Sequence, residues 1–385
     1  MTATTLTGLR IWDGESFADA DAIRIESGRI SAVGDASELR SNASTISYDG
    51  ATVVPGLIDA HVHMVLDPER RTTPAADEIP DMAAMRQRAA QMLRAGITTA
   101  RDLGGGHWRE LELRDAIDRG ETPGPRLLCA GQPVTSCSGH CHFWGGEAAD
   151  SAQINNVIGR QIDHGVDLIK VMATGGRMTS GSAPLQPQFS TAQLQQVVAR
   201  AGDAGLDVAA HCHGTAGIHA AALAGVDTIE HCSWVGSEGW ASDYQHEIAE
   251  LIIEQGARVS PTVNAGWQRM IGNKTGDRVT RALKDMIARG VTLIASTDAG
   301  IPGVYHHDLP RALAVFQQLT DASAEFILRT ATSQSARALG LADVTGRIAT
   351  GLSADLLIVD GDPCSDLAAL QQPVAVFCRS EPIRL

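Results

Sequence analysis

The sequence predicts an α/β fold, a (β/α)8 TIM barrel carrying a small β-sandwich built from both chain termini. Three observations predict it. Apolar, strand-like runs alternate with helical periodicities through the middle of the chain. Residues able to bind metal sit at the C-terminal ends of those runs, and short β-rich segments with turn signals occupy both ends of the sequence. Repeated strand–helix alternation argues for a parallel sheet. Closed into a barrel, such a sheet gathers its reactive groups at the strand C-termini.

Taken in order, residues 6–54 hold Gly8-Leu9-Arg10-Ile11-Trp12, Ala22-Ile23-Arg24-Ile25 and Arg29-Ile30-Ser31-Ala32-Val33-Gly34, with Ser27-Gly28 as a turn. This is a hairpin pattern. Residues 344–385 read alike, with strands over 354–359 and 374–379. We expect 1–54 and 344–385 to pair into one composite sandwich, leaving 55–343 as the barrel. Within the barrel, helical patterns fall at 82–95, 192–204, 247–255 and 278–289.

Composition narrows the function. A chain of 385 residues can bury one large core plus a smaller module. With 31 basic against 45 acidic residues the net charge is −14, which argues against nucleic acid as a partner. No leader-like or membrane-length apolar run is seen, so no membrane partner is expected. Seven scattered cysteines, an odd number, read as reduced thiols of a cytoplasmic protein. The expected partner is a small-molecule substrate, with a homo-oligomer compatible.

Six positions carry the chemistry. An apolar run ends in His61-Val62-His63, and residues two apart on a strand share a side. Alone, that pair reads more readily as exposed strand-end histidines. Lys170 sits inside the apolar run 165–172, where a charge is costly to bury. It is either a snorkelling lysine or one neutralised as a carbamate with carbon dioxide. His211, His231 and Asp298 end three further apolar runs. Together the six make a ligand set for two divalent metal ions, zinc first, with manganese, iron and cobalt compatible.

That order, His-x-His, Lys, His, His, Asp, resembles the amidohydrolase superfamily in its binuclear, carboxylated-lysine form. Gly96-Ile97-Thr98-Thr99-Ala100-Arg101-Asp102-Leu103-Gly104-Gly105, Lys170-Val171-Met172-Ala173-Thr174-Gly175-Gly176 and Thr297-Asp298-Ala299-Gly300 resemble its imidazolonepropionase-like and prolidase-like branch. So do residues 331–340 and 354–363. The resemblance implies that His61, His63 and Asp298 hold the more buried ion and His211 and His231 the more exposed one. Carboxylated Lys170 and a hydroxide would bridge them, with Asp298 as catalytic base and then acid.

Other residues are expected to touch substrate. Cys137-Ser138-Gly139-His140-Cys141-His142 crowds its donors too closely for a structural zinc. Relatives carry a Gly-His motif in this loop, so the resemblance implies that His140 orients substrate. His213 follows His211 by two and either contacts substrate or supports the metal shell. Arg177 lies in the Gly/Ser-rich segment 175–182, where it either grips a carboxylate or is a solvated charge. Tyr244, singled out because the chain has only three tyrosines, either donates to the substrate carbonyl or packs at the surface, and one of His306 and His307 is expected to shape the pocket. After His231, the run through Trp234 and Trp240 departs from the prolidase-like pattern and suggests an aromatic wall.

The leading expectation is hydrolysis of an amide (C–N) bond in a dipeptide or N-acyl amino acid. The alternatives are opening of a cyclic amide or lactam, hydrolysis of a carbamate or ester, deamination (against which Lys170 counts), and a barrel that only binds.

Overall fold

The computed structural model describes residues 3–39, 44–379 and 381–384, so residues 1, 2, 40–43, 380 and 385 of the expected sandwich segments lie outside it. Seven barrel strands are regular: β1 (Leu57–Val62), β2 (Ile97–Asp102), β3 (Arg126–Cys129), β4 (Leu168–Met172), β5 (Asp207–Gly214), β6 (Thr228–Val235) and β7 (Arg258–Ser260). They pair in parallel as β1-β2-β3 and β4-β5-β6-β7. The two sheets join where Val134 donates to the Lys170 carbonyl at 2.8 Å and receives Met172 N–H at 2.8 Å.

The expected eighth strand is not a regular one. Residues 292–298 make a single bridge, Leu293 to Val259, and the backbone then divides its bonds. Ile294 N–H donates to Val259, while the Ala295 carbonyl receives Ala60 N–H and Asp298 N–H donates to the His61 carbonyl. Ala295 N–H goes instead to Thr330 of a following helix, which interrupts any ladder. The stave still closes the ring between β7 and β1.

Helices Met82–Arg94, Thr191–Gly202, His246–Glu254 and Lys274–Arg289 fall where the periodicity placed them. Their starts are capped as the sequence allows. Asp81 accepts from Ala83 N–H, Ser190 and Gln193 form a reciprocal box, and Asn273 accepts from Thr275 and Gly276. No helix among the described residues is long and apolar enough to cross a membrane.

The chain ends build two facing sheets. One runs in the order Arg29–Gly34, Ala22–Glu26, Thr4–Thr7, Ser44–Ser47. The other runs Glu381–Pro382, Pro373–Cys378, Leu356–Val359, Thr52–Pro55, Arg10–Ile11. Leu6, Ile23, Ile25, Val53, Ile358 and Phe377 fill the space between them. The period-two pleat of Leu356–Val359 gives that strand two employers. Leu356 and Ile358 face the sandwich core, whereas Leu357 and Val359 pack into the barrel core.

Candidate metal centre

At the C-terminal mouth of the barrel, His61 of β1 and His63 just after it present Nε2 atoms 3.3 Å apart. Each lies 3.4 Å from Asp298 Oδ1. The opposite ring nitrogens are occupied: His61 Nδ1 donates to Glu230 Oε2 at 2.9 Å and His63 Nδ1 to the Gly104 carbonyl at 2.8 Å. Such partners fix the tautomer and leave both Nε2 lone pairs free to ligate.

The backing of this group is buried and charged. Glu230 pairs with Arg101 Nη2 at 2.7 Å and accepts from Thr228 Oγ1 at 2.6 Å. Arg101 spends the rest of its fork on the Ala60 carbonyl at 2.8 Å and Thr228 Oγ1 at 2.9 Å. Burial would push the Glu230 carboxyl up, but Arg101 and His61 outweigh it and hold the acid ionised. Asp59, also buried, ties β1 to the eighth stave by accepting from Thr297 Oγ1 at 2.6 Å and Thr297 N–H at 3.1 Å. That bond sets Asp298 beside His61.

A second group forms on β5 and β6. Ligand atoms of His211, His213 and His231 lie within 4.8 Å of one another, and His231 also falls within 4.8 Å of His61 and Asp298. His213 therefore joins the imidazole cluster itself. Its Nδ1 lies 2.9 Å from Ser233 Oγ, and His231 Nδ1 lies 2.9 Å from Thr262 Oγ1. His211 Nε2 donates to the Gly175 carbonyl at 3.1 Å. Burial lowers His61 to about 4 and His213 to about 3, with His211 and His231 well below their ordinary value. These four imidazoles are thus neutral, the form that ligates metal. Asp298 is held ionised: burial opposes this, but the positive charge nearby, Lys170 included, outweighs it.

Lys170 is 2% exposed, and its Nζ has no hydrogen-bond partner among the described residues. It lines one cavity with His61, His211, His231 and Asp298. Burial drags its ammonium down to about 8 against the pull of Glu230 and Asp298. A buried, unpartnered amine is costly, and it fits a lysine that changes chemical form when metal is present.

The backbone turns sharply around these groups. His231, Thr262 and Asp298 take φ of 64°, 53° and 63°, the left-handed region that costs a non-glycine residue about 1–2 kcal/mol. Strain of this kind clusters at functional sites. Gly176 admits a close approach, since a Cβ there would come within 2.4 Å of the His140 ring.

His140 is buried against His211, ring centroids 4.6 Å apart, with Nδ1 3.2 Å from Thr179 Oγ1. Exposed Arg177 lies over the Trp240 ring at 5.1 Å. Both line a cavity of ≈ 370 Å³ that contains all six predicted ligands and His213, walled by Trp144, Trp240 and Trp267. Tyr244 is a correction: it is not part of that lining. Its hydroxyl donates to Asp285 at 2.6 Å and its ring packs edge-on against Trp234, so it supports the wall from behind. His306 braces the site rather than lining it, donating to the His63 carbonyl at 3.1 Å, while His307 is exposed. Sequence reasoning did not single out Asp59, Arg101 or Glu230 as site residues. Each is a charge inside an apolar run, the same signal that marked Lys170.

The amidohydrolase family model matches residues 52–383. Ochratoxinase of Aspergillus niger is 28% identical over 414 aligned positions, covering 94% of this chain and 82% of that protein. A crystal structure of a Xaa-Pro dipeptidase with methionine bound in its active site superposes with a TM-score of 0.85, at 26% identity over 99% of both chains. That of a putative prolidase from Bifidobacterium longum gives 0.83 and 26%, over 100% of this chain and 95% of the other.

Proposed function

The chain belongs to the amidohydrolase family, and on that premise we propose that this metal-dependent hydrolase cleaves the amide bond of a dipeptide or N-acyl amino acid. His61, His63 and Asp298 would hold one divalent ion and His211 and His231 the other, with a carbamate on Lys170 between them. The orphaned Lys170 Nζ carries this reading. Among the described residues no hydrogen bond or ion pair satisfies that amine where it stands, and conversion to an anion shared by two ions would. When bound, the ions supply an ionised water near neutral pH and a polarised scissile carbonyl. Imidazole and carboxylate donors suit zinc.

The chain's own groups do the rest. Asp298 takes the proton of the attacking water at its carboxylate oxygen. It then delivers that proton to the leaving nitrogen. Glu230 and the Gly104 carbonyl keep His61 and His63 in the ligating tautomer. His140 and His213 orient the scissile group, and Arg177 meets a carboxylate at the rim. Support for the dipeptide class comes from the Xaa-Pro dipeptidase and the putative prolidase among the structural relatives. The Trp144 and Trp240 walls also suit a flat ring, which makes cyclic amides, carbamates and esters the second reading.

The test is elemental analysis of purified protein together with a panel of dipeptides and N-acyl amino acids. About two ions per chain, with turnover that Asp298→Asn abolishes, is the expected result. Two ions without turnover would move the substrate to lactams, carbamates or esters. One ion or none would overturn the role of Lys170.

A further inference from the structure

We propose that the preferred substrate is an amino acid whose nitrogen carries a large apolar acyl group, and that helix Lys274–Arg289 sets the size of that group. This rests on the amide-hydrolase reading above. Val279, Ala282, Leu283 and Met286 follow the i, i+3, i+4, i+7 spacing of one apolar helix face. All four line the cavity that holds the metal-binding groups. Each is under 10% exposed, and with Trp234 they form an inner wall without a charged side chain. Asp285, directly before Met286, turns away to bond Tyr244 and Arg289, so the division between apolar and charged faces is sharp.

The rim has the opposite character. Arg177 and Arg269 line the same cavity, both exposed, and neither forms an ion pair among the described residues. Free guanidiniums at the mouth of a protein of net charge −14 single out that mouth for an anion. An apolar chamber inside and two cations outside match an N-acyl amino acid entering acyl group first, its carboxylate left at the rim. Water oxygen then bonds to the acyl carbon, the C–N bond breaks and the nitrogen takes the proton. The products are an apolar carboxylic acid and a free amino acid.

The test uses the metal-loaded enzyme with N-acetyl-, N-hexanoyl-, N-decanoyl- and N-benzoylglycine, each as the acid and as the carboxamide. kcat/KM should rise by roughly fourfold per added methylene until the chamber is full, and the acid should be preferred over its carboxamide. Leu283→Trp should lower the decanoyl-to-acetyl ratio by at least about tenfold. Val279→Phe should do the same and serves if the first variant fails to fold. Replacing Arg177 and Arg269 together by Gln should cut the acid-over-carboxamide preference about tenfold. Acetylglycine hydrolysed as well as decanoylglycine, or a ratio unmoved in the folded variants, would overturn the chamber while leaving amide hydrolysis standing. No turnover of any acylglycine would overturn the acyl chamber, and no turnover of the dipeptide panel besides would overturn the amide-hydrolase reading as well.

Discussion

The two metal-binding groups share one mouth but are backed by different chemistry. Behind His61 and His63 stand a carboxylate, Glu230, anchored by Arg101, and a backbone carbonyl. Behind His213 and His231 stand only hydroxyls, Ser233 and Thr262, and behind His211 the Gly175 carbonyl. An anionic partner raises the basicity of the imidazole it holds, whereas a neutral hydroxyl mainly orients it. On the proposed reading, the first group would keep its ion more firmly than the second.

The largest effect should come from Lys170, the residue proposed to bridge the two ions. Lys170→Ala is expected to reduce bound metal to one ion or none and turnover to background, read by elemental analysis beside a rate assay. Retention of two ions would remove the bridging role. Asp298→Asn should come next, with a loss of about 10²–10⁴-fold in kcat, since a proton carrier goes while the fold stays.

The comparison itself is tested by Glu230→Gln against Thr262→Val, using chelator competition on the folded proteins. The first should weaken one ion by about 10–100-fold and leave the other near its original affinity. The second should weaken the other ion by less than about tenfold. Equal effects would erase the asymmetry. Tyr244→Phe should matter least. Removing its bond to Asp285 costs about 1 kcal/mol, seen as a melting-point drop of a few degrees, with kcat unchanged.

What was legible in the sequence was the part written locally. A histidine or aspartate ending an apolar run declares itself, because burial needs a reason and metal supplies one. His61, His63, Lys170, His211, His231 and Asp298 all announced themselves that way, and the structure brings them to one cavity. The backing did not, because it is assembled across strands. Glu230 reaches His61 over 169 residues of sequence, and Asp59 reaches Thr297 over 238. Tyr244 misled because scarcity of a residue type says nothing about where its hydroxyl points. His213 lay two residues from His211 and was legible as a neighbour, but its place within the imidazole cluster depended on how β5 and β6 align. The eighth stave was read as a strand from its apolar run. Its backbone bonds are instead shared with Thr330, a partner that no local pattern reveals.

The doubly employed strand Leu356–Val359 has a consequence for how the protein is born. It pairs with Thr52–Pro55, and one residue later Gly56 N–H donates to the Asp355 carbonyl, at the threshold of the stave that carries His61. On a ribosome these partners emerge some three hundred residues apart, which at about 5–20 residues per second leaves the first metal-bearing stave waiting through tens of seconds of translation. Contacts so distant in sequence slow folding. One edge of Thr52–Pro55 therefore stays unpaired until the last part of the chain arrives.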